Sequence, residues 1–180
     1  MKFKLFDIEF KIEYSLFIIL LIALFAKNDS VLFLLLFSSL HEVGHILSLY
    51  FLGGKAKKIT FAYYGIGMVR HGDLNFLSEI IFLLSGIAIN SVFVIFNFQR
   101  EINFCLLFIN LLPIYPLDAG RCVKLIFERV FDFNVSYKLY FSFSVVCFVA
   151  LLIFSLYIKN FNLILICIYL FFQIIRGNYD

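Results

Sequence analysis

The residues with the clearest chemical potential are His41, Glu42 and His45, in the run His41-Glu42-Val43-Gly44-His45. Side chains four residues apart lie on one face of a helix, so the two imidazoles can bind the same metal ion. The glutamate beside the first histidine is placed to take a proton from a metal-bound water. The pattern therefore predicts a zinc-dependent hydrolase that holds about one zinc ion per chain.

The chain around this motif is far more apolar than a soluble protein. Its 180 residues are 63% hydrophobic and 15% charged, and the mean hydropathy is +1.01, whereas globular proteins are about 45–50% apolar and about 25% charged. These values exclude disordered chains, coiled coils, disulfide scaffolds and nucleic-acid binders, and indicate an integral membrane protein. Ionisable residues inside a membrane-spanning helix cost about 2.5–3.5 kcal/mol each and usually mark function. This cost disfavours the alternative that His41 and His45 are core histidines bonded to hydroxyls such as Ser38 or Ser48.

Apolar segments separated by polar residues predict an all-α membrane protein with about six transmembrane helices, folded as a single membrane-embedded domain over residues 1–180. Two of the segments are short for a full span, which predicts broken helices covered by protein. The β-forming residues of 59–64, followed by a glycine pair, predict a short hairpin or re-entrant loop after the second span. The predicted spans are 14–26, 31–52, 76–98, 102–114, 137–158 and 161–175.

Lysine and arginine predict the orientation in the membrane. If the amino terminus is cytoplasmic, twelve of these residues fall on the cytoplasmic side and three on the other. An excess of this kind on one side is typical of cytoplasmic loops. Both termini are therefore predicted to be cytoplasmic, in a multi-pass protein of the lipid bilayer.

A catalytic zinc site needs a third protein ligand and an open position for water. Asp118 is the preferred candidate, because Pro113 and Pro116 break the fourth span just before it and a broken helix can turn a carboxylate toward the second span. Two alternatives stay open: His71, in the polar loop after the second span, could be the ligand, or Asp118 could cap a helix over 119–131.

Together these motifs resemble the site-2 protease family of intramembrane zinc metalloproteases. That family pairs H-E-x-x-H in one transmembrane helix with N-x-x-P-x-x-P-L-D-G-G in another, and the resemblance covers nearly the whole chain. Ala119 stands where the family usually has its first glycine. The run Ser85-Gly86-Ile87-Ala88-Ile89-Asn90 looks like the small-residue element G-P-x-x-N of the third span, with Ile87 in the place of proline. The second motif is matched by Asn110, Pro113, Pro116, Leu117, Asp118 and Gly120.

The resemblance implies a membrane endopeptidase with His41, His45 and Asp118 as zinc ligands and Glu42 as the general base. Asn110 is expected to stabilise the tetrahedral intermediate. The substrate has to be unwound, so Ile59, Thr60 and Phe61 are expected to bind it by strand addition. Asn90 is a further substrate-binding candidate on the third span.

With six spans and neither a CBS nor a PDZ domain, the chain looks most like the stage IV sporulation branch of the bacterial cytoplasmic membrane. That branch cleaves a membrane-associated pro-sigma factor. The expected partners are a membrane-associated or single-span protein substrate and membrane regulatory proteins, and no nucleic acid. The rival functions are a membrane metal transporter, which leaves Glu42 without a role, and a catalytically idle scaffold.

Overall fold

The structure is a computed structural model that divides into two compact units, Met1–Leu107 and Phe108–Asp180. The first unit contains a sheet and the helix that bears the histidine motif, with the helices around it. The predicted sixth span falls largely outside the described residues. The structure describes residues 1–5, 8–25, 29–62, 65–159, 163–164, 166–168 and 170–171.

A four-stranded sheet in the first unit corrects the all-α prediction. Its strands are β1 (Lys2–Leu5), β2 (Ile8–Ile12), β3 (Lys55–Ala62) and β4 (Gly65–His71), in the order β1-β2-β3-β4. The β3–β4 hairpin follows the second span, as predicted, and β2 runs parallel to β3. The amino-terminal strands were missed, although polar and apolar residues alternate there with the period of two that a half-buried strand requires.

The alternation gives the sheet one apolar and one charged face. On the apolar face, the rings of Phe3 and Phe10 stack with centroids 5.2 Å apart, and Phe10 pairs with Ile59, which is buried. On the charged face, Lys2 lies opposite Lys11, and the Lys11 Nζ donates to Glu13 at 2.6 Å. The charged amino-terminal segment is therefore part of the same sheet as the hairpin.

Three helices complete the first unit: α1 (Tyr14–Phe25), α2 (Asp29–Phe51) and α3 (Phe76–Ile95). Asn75 caps α3, since its side chain accepts from the Ser78 N–H at 2.8 Å. The buried residues of α2 lie on one face of the helix and form one stripe: Phe37, His41, Gly44, His45 and Leu49.

The α2 stripe packs against α3 at short range. A Cβ added to Gly44 would lie 2.7 Å from Ile89 Cγ1 and 3.0 Å from the Ser85 carbonyl oxygen, so only glycine lets the two backbones approach this closely. Nearby, the rings of Phe37 and Phe93 meet edge to face at 4.9 Å. This close contact brings α3 side chains to the histidine motif.

The second unit begins within α4 (Arg100–Asn110) and contains α5 (Asp118–Val130) and α6 (Phe133–Ile158). Residues 111–117 link α4 to α5 without regular structure. Ile114 lies in this link and is fully buried against a small core of Leu151, Cys167 and Leu170. The link is therefore anchored by packing within its own unit.

Among the described residues, three helices are long and apolar enough to cross a membrane, namely α2, α3 and α6. The 12 residues of α1 and the 11 of α4 span about 18 and 17 Å at 1.5 Å per residue, against about 30 Å of bilayer hydrocarbon. Both helices are short, as predicted. Three of the six predicted spans thus correspond to described helices that are long and apolar enough to cross a membrane.

Candidate metal centre

The two histidines of α2 point their Nε2 atoms at each other. The two nitrogens are 3.2 Å apart, and the side chains are 5% and 4% exposed for His41 and His45. Glu42 is half-buried, and its carboxylate lies with both imidazoles in a group whose ligand atoms are all within 4.8 Å of one another. The helix thus brings together two imidazole nitrogens and one carboxylate that could hold a metal ion.

The nitrogen spacing fits one zinc ion. Two nitrogens at the usual distance of about 2.0–2.1 Å from a tetrahedral zinc lie about 3.3 Å apart. Gly86 of α3 keeps the space at these nitrogens clear, because a Cβ there would lie 2.5 Å from His41 Nε2 and 2.6 Å from His45 Nε2. The donor atoms and the space around them are both suited to a metal.

The imidazole of His45 is fixed by the backbone of α3. Its Nδ1 lies 2.8 Å from the Phe82 carbonyl oxygen and 3.2 Å from Ser85 Oγ. A carbonyl oxygen only accepts hydrogen bonds, so Nδ1 carries the proton and Nε2 keeps its lone pair. Ligating histidines commonly have such a partner on the other ring nitrogen, which orients the ring and raises its basicity.

The imidazole of His41 contacts a side chain of α3 instead. The Asn90 amide lies 3.1 Å from His41 Nδ1, and Asn90 is fully buried. Asn90, expected from the sequence to bind substrate, is therefore placed against a candidate metal ligand. The sequence shows Asn90 as one polar residue in a small-residue stripe, and its contact with His41 depends on the register between α2 and α3.

Asp118 and Asn110 belong to the second unit. Asp118 is the first residue of α5 and is 7% exposed, with Leu117 at the N-cap position. A carboxylate in the first turn of a helix is favoured by the helix dipole. Asn110 is the last residue of α4 and is half-buried. The two residues thus flank the irregular link 111–117.

The link is held to α5 and α6 at two points. A Cβ on Gly120 would collide with the Ile114 carbonyl group and come within 2.8 Å of Tyr115 N, so this position requires glycine. Ser144 Oγ of α6 accepts from Tyr115 N–H at 3.0 Å and donates to the Pro113 carbonyl at 3.3 Å. Ala119 lies within α5, where an L side chain fits without strain.

His71 is not part of the histidine–glutamate group. It ends β4, is exposed, and lines an open cavity of about 480 Å³ together with residues that include Lys55 and Asp73. Among the described residues, only His41, Glu42 and His45 form a cluster of three or more metal-binding side chains. His71 therefore gains no support as a ligand.

The predicted substrate strand lies inside the sheet. Residues Ile59, Thr60 and Phe61 pair with β2 on one side and with β4 on the other. Strand addition to β3 would require one neighbour to leave, which corrects the predicted mode of binding. Phe61 also lines a cavity of about 210 Å³ with apolar side chains of α1 and α2.

The chain is similar in sequence to a zinc metalloprotease and a sporulation protein, and in fold to a site-2 protease. It is 29% identical over 92% of its length to a zinc metalloprotease of Methanocaldococcus jannaschii. It is 27% identical over 83% of its length to the stage IV sporulation protein FB of Bacillus subtilis. A solved structure of a site-2 protease from Methanocaldococcus jannaschii superposes with a TM-score of 0.68 and 21% identity, covering 98% of this chain and 94% of that one.

The matches extend over only part of the two curated relatives, since the chain spans 56% and 58% of their lengths. None of the family models matches the chain. The structural likeness nevertheless covers nearly all of it, as the motif resemblance did. The predicted similarity to the site-2 protease family, with the stage IV sporulation protein among its relatives, is therefore confirmed.

Proposed function

We propose that this protein is a zinc-dependent intramembrane endopeptidase. The observation that carries the proposal is the pair of buried imidazoles on the apolar helix α2. Their Nε2 atoms are 3.2 Å apart, and the Glu42 carboxylate lies beside them. A metal transporter would have no use for a proton acceptor at this place. An idle scaffold would have no reason to keep both the metal ligands and the base.

His41, His45 and Asp118 are the proposed ligands of the metal. A catalytic zinc site takes three protein ligands and keeps one open position. His41 and His45 provide two of the three through their Nε2 atoms on α2. Asp118 is proposed as the third because its side chain is a buried carboxylate at the start of α5. Zinc bound there would lower the pKa of a water molecule and polarise the scissile carbonyl.

Glu42 is the proposed general base and acid. Its carboxylate lies within 4.8 Å of the imidazole nitrogens, so it can accept a proton from the attacking water and pass it to the leaving amine. Asn110 is the proposed hydrogen-bond donor to the tetrahedral intermediate. Its position before the link 111–117 and its place in the second motif support this role.

The proposed substrate is a membrane-associated or single-span protein. Its peptide bonds are shielded while it is helical, so it has to enter the site as an extended chain. In the observed sheet order, β4 stands at the edge beside β3, and an extended segment can pair with such an edge. Thr60 and Phe61 would then contribute side chains rather than main-chain hydrogen bonds. A pro-sigma factor is the specific substrate that the sporulation relative suggests.

The proposed location is the bacterial cytoplasmic membrane, with both termini cytoplasmic and membrane regulators as further partners. The positive-inside bias supports this orientation. The sheet adds a second argument, because β2 pairs with β3 and so holds the amino-terminal segment and the β3–β4 hairpin on the same side. Lys2, Lys4, Lys11, Lys55, Lys57 and Lys58 all lie in these strands.

Metal content and chelator sensitivity test the proposal. Purified protein should carry about one zinc per chain and cleave single-span substrates until the zinc is chelated. His45→Ala should abolish zinc binding, whereas His71→Ala, the matched control, should leave it unchanged. Zinc loss in His71→Ala would mean that the third ligand is wrong. A parent protein that binds zinc, cleaves nothing and moves zinc across vesicles would instead be a transporter.

A further inference from the structure

The buried side chain of Asn90 has an amide oxygen without a hydrogen-bond donor among the described residues. Asn90 is fully buried, its Nδ2 lies 3.1 Å from His41 Nδ1, and its Oδ1 has no partner in the part of the chain that the structure describes. A buried amide oxygen without a donor costs about 1–3 kcal/mol. The two ends of an amide are nearly indistinguishable in shape, so the hydrogen-bond network decides which end faces the imidazole.

The network offers two consistent arrangements. In one, His41 carries its proton on Nε2, donates it to His45 Nε2, and accepts from Asn90 Nδ2 at Nδ1. In the other, His41 is protonated on Nδ1 and donates to Asn90 Oδ1, after the amide has turned by half a rotation. The second arrangement gives Oδ1 a donor, moves Nδ2 into the position that Oδ1 leaves, and leaves both Nε2 atoms unprotonated.

A metal bound between the imidazoles selects the second arrangement, because a ligating nitrogen has to present its lone pair. His45 already has the matching protonation, because the Phe82 carbonyl accepts the Nδ1 proton at 2.8 Å and Nε2 keeps its lone pair. For His41, the Asn90 amide lies within hydrogen-bonding distance of Nδ1, at 3.1 Å.

We propose that Asn90 is a positioning residue for the metal ligand His41: its amide oxygen accepts the Nδ1 proton and so keeps Nε2 available to the metal. This inference rests on the proposed function, since it needs a metal at the histidines. It replaces the substrate-binding role expected from the sequence, which a fully buried side chain cannot perform without rearrangement. One helix, α3, then fixes both imidazoles, one through its backbone and one through a side chain.

Asn103 provides a matched control within the same chain. It is also fully buried and also has an Oδ1 without a partner among the described residues. Its Nδ2 donates to the Phe98 carbonyl at 2.9 Å, near the start of α4. Replacing either asparagine by leucine removes an equally buried amide of the same size, but only Asn90 contacts an imidazole.

The experiment measures zinc affinity by competition with a chromophoric chelator for the parent, Asn90→Leu, Asn90→Asp and Asn103→Leu. Loss of an outer partner of a ligating histidine costs about 10–100-fold in metal affinity. Asn90→Leu should show that loss, and Asn103→Leu should bind as the parent does. Asn90→Asp should bind at least as tightly as the parent, because a carboxylate is a stronger acceptor for the Nδ1 proton.

Nitrogen-15 spectra of the zinc-loaded parent give a second readout, and should show His41 protonated at Nδ1. Equal affinities for Asn90→Leu and Asn103→Leu would overturn the inference. So would loss of zinc from Asn90→Asp, since a merely structural role predicts that a buried charge disrupts this position. A parent that binds no zinc would contradict the proposed function itself, which distinguishes the two failures.

Discussion

Each of the two units contains a glycine at which an added side chain would cause a collision, and the two collisions involve different kinds of atoms. Gly86 on α3 makes room for side chains, since an added Cβ would meet the Nε2 atoms of His41 and His45. Gly120 on α5 makes room for the main chain, since its Cβ would meet the carbonyl group of Ile114. The first glycine therefore serves the chemistry of the site, and the second serves the path of the chain.

Because of this difference, a substitution at Gly86 should mainly change zinc affinity, whereas one at Gly120 should mainly change the stability of the fold. A methyl group at Gly86 obstructs a functional space but improves helix propensity by about 1 kcal/mol. A methyl group at Gly120 pushes against backbone that Ser144 and the Ile114 core hold in place. Substitutions at the two positions should consequently differ in which measurement they change.

Gly86→Ala should have the largest effect on metal binding. The new methyl group lies about where the metal needs space, so zinc affinity should fall by at least the roughly 100-fold that a damaged metal environment can cost. The unfolding temperature of the metal-free protein should change little. Chelator competition and thermal unfolding measure the two quantities.

Gly44→Ala is the control for this change, because it crowds the same helix pair against Ile89 without facing the nitrogens. Equal losses of zinc affinity in Gly44→Ala and Gly86→Ala would show that helix separation, and not occlusion of the ligands, explains the effect.

Gly120→Ala should lower stability instead, by about 1–3 kcal/mol, the usual cost of overpacking. Chemical denaturation monitored by circular dichroism measures the loss. The control is Ala119→Gly in the same helical turn, which should cost no more than about 1 kcal/mol. If Gly120→Ala is as stable as the parent, the link 111–117 is not held as tightly as these contacts imply.

Ser85→Ala should have the smallest effect. Ser85 Oγ shares His45 Nδ1 with the Phe82 carbonyl, which is the closer acceptor at 2.8 Å against 3.2 Å. The carbonyl remains after the substitution, so zinc affinity should fall well short of the roughly tenfold lower limit for losing an outer partner. A larger loss of zinc affinity would show that the Ser85 hydroxyl, and not the Phe82 carbonyl, orients the His45 imidazole.

The sequence was sufficient for the features that depend on local pattern. Length and hydropathy predicted α2, α3 and α6, and the spacing of His41 and His45 predicted that their imidazoles meet. The strands β1 and β2 are not among the predicted elements, although Lys2, Phe3 and Lys4 alternate with the period of two that a half-buried strand requires.

Other features depend on tertiary contacts that a single sequence does not encode in any local pattern. The contact between Asn90 and His41 requires the register between α2 and α3, which Gly44 and Gly86 permit by their lack of a side chain. The central position of β3 requires the pairing of β2 with a strand more than 40 residues later in the chain. Neither could be inferred from propensities or periodicity.

The comparison of Glu42→Gln with Asp118→Asn tests the central claim most directly. Glutamine keeps the shape of Glu42 but cannot accept a proton, so Glu42→Gln should retain zinc while cleavage falls by about 10²–10⁴-fold. Asp118→Asn removes a negative ligand, so zinc affinity should fall first, and excess zinc should restore some cleavage to this variant alone. Cleavage by Glu42→Gln at the parental rate would contradict the protease mechanism, whatever the metal content.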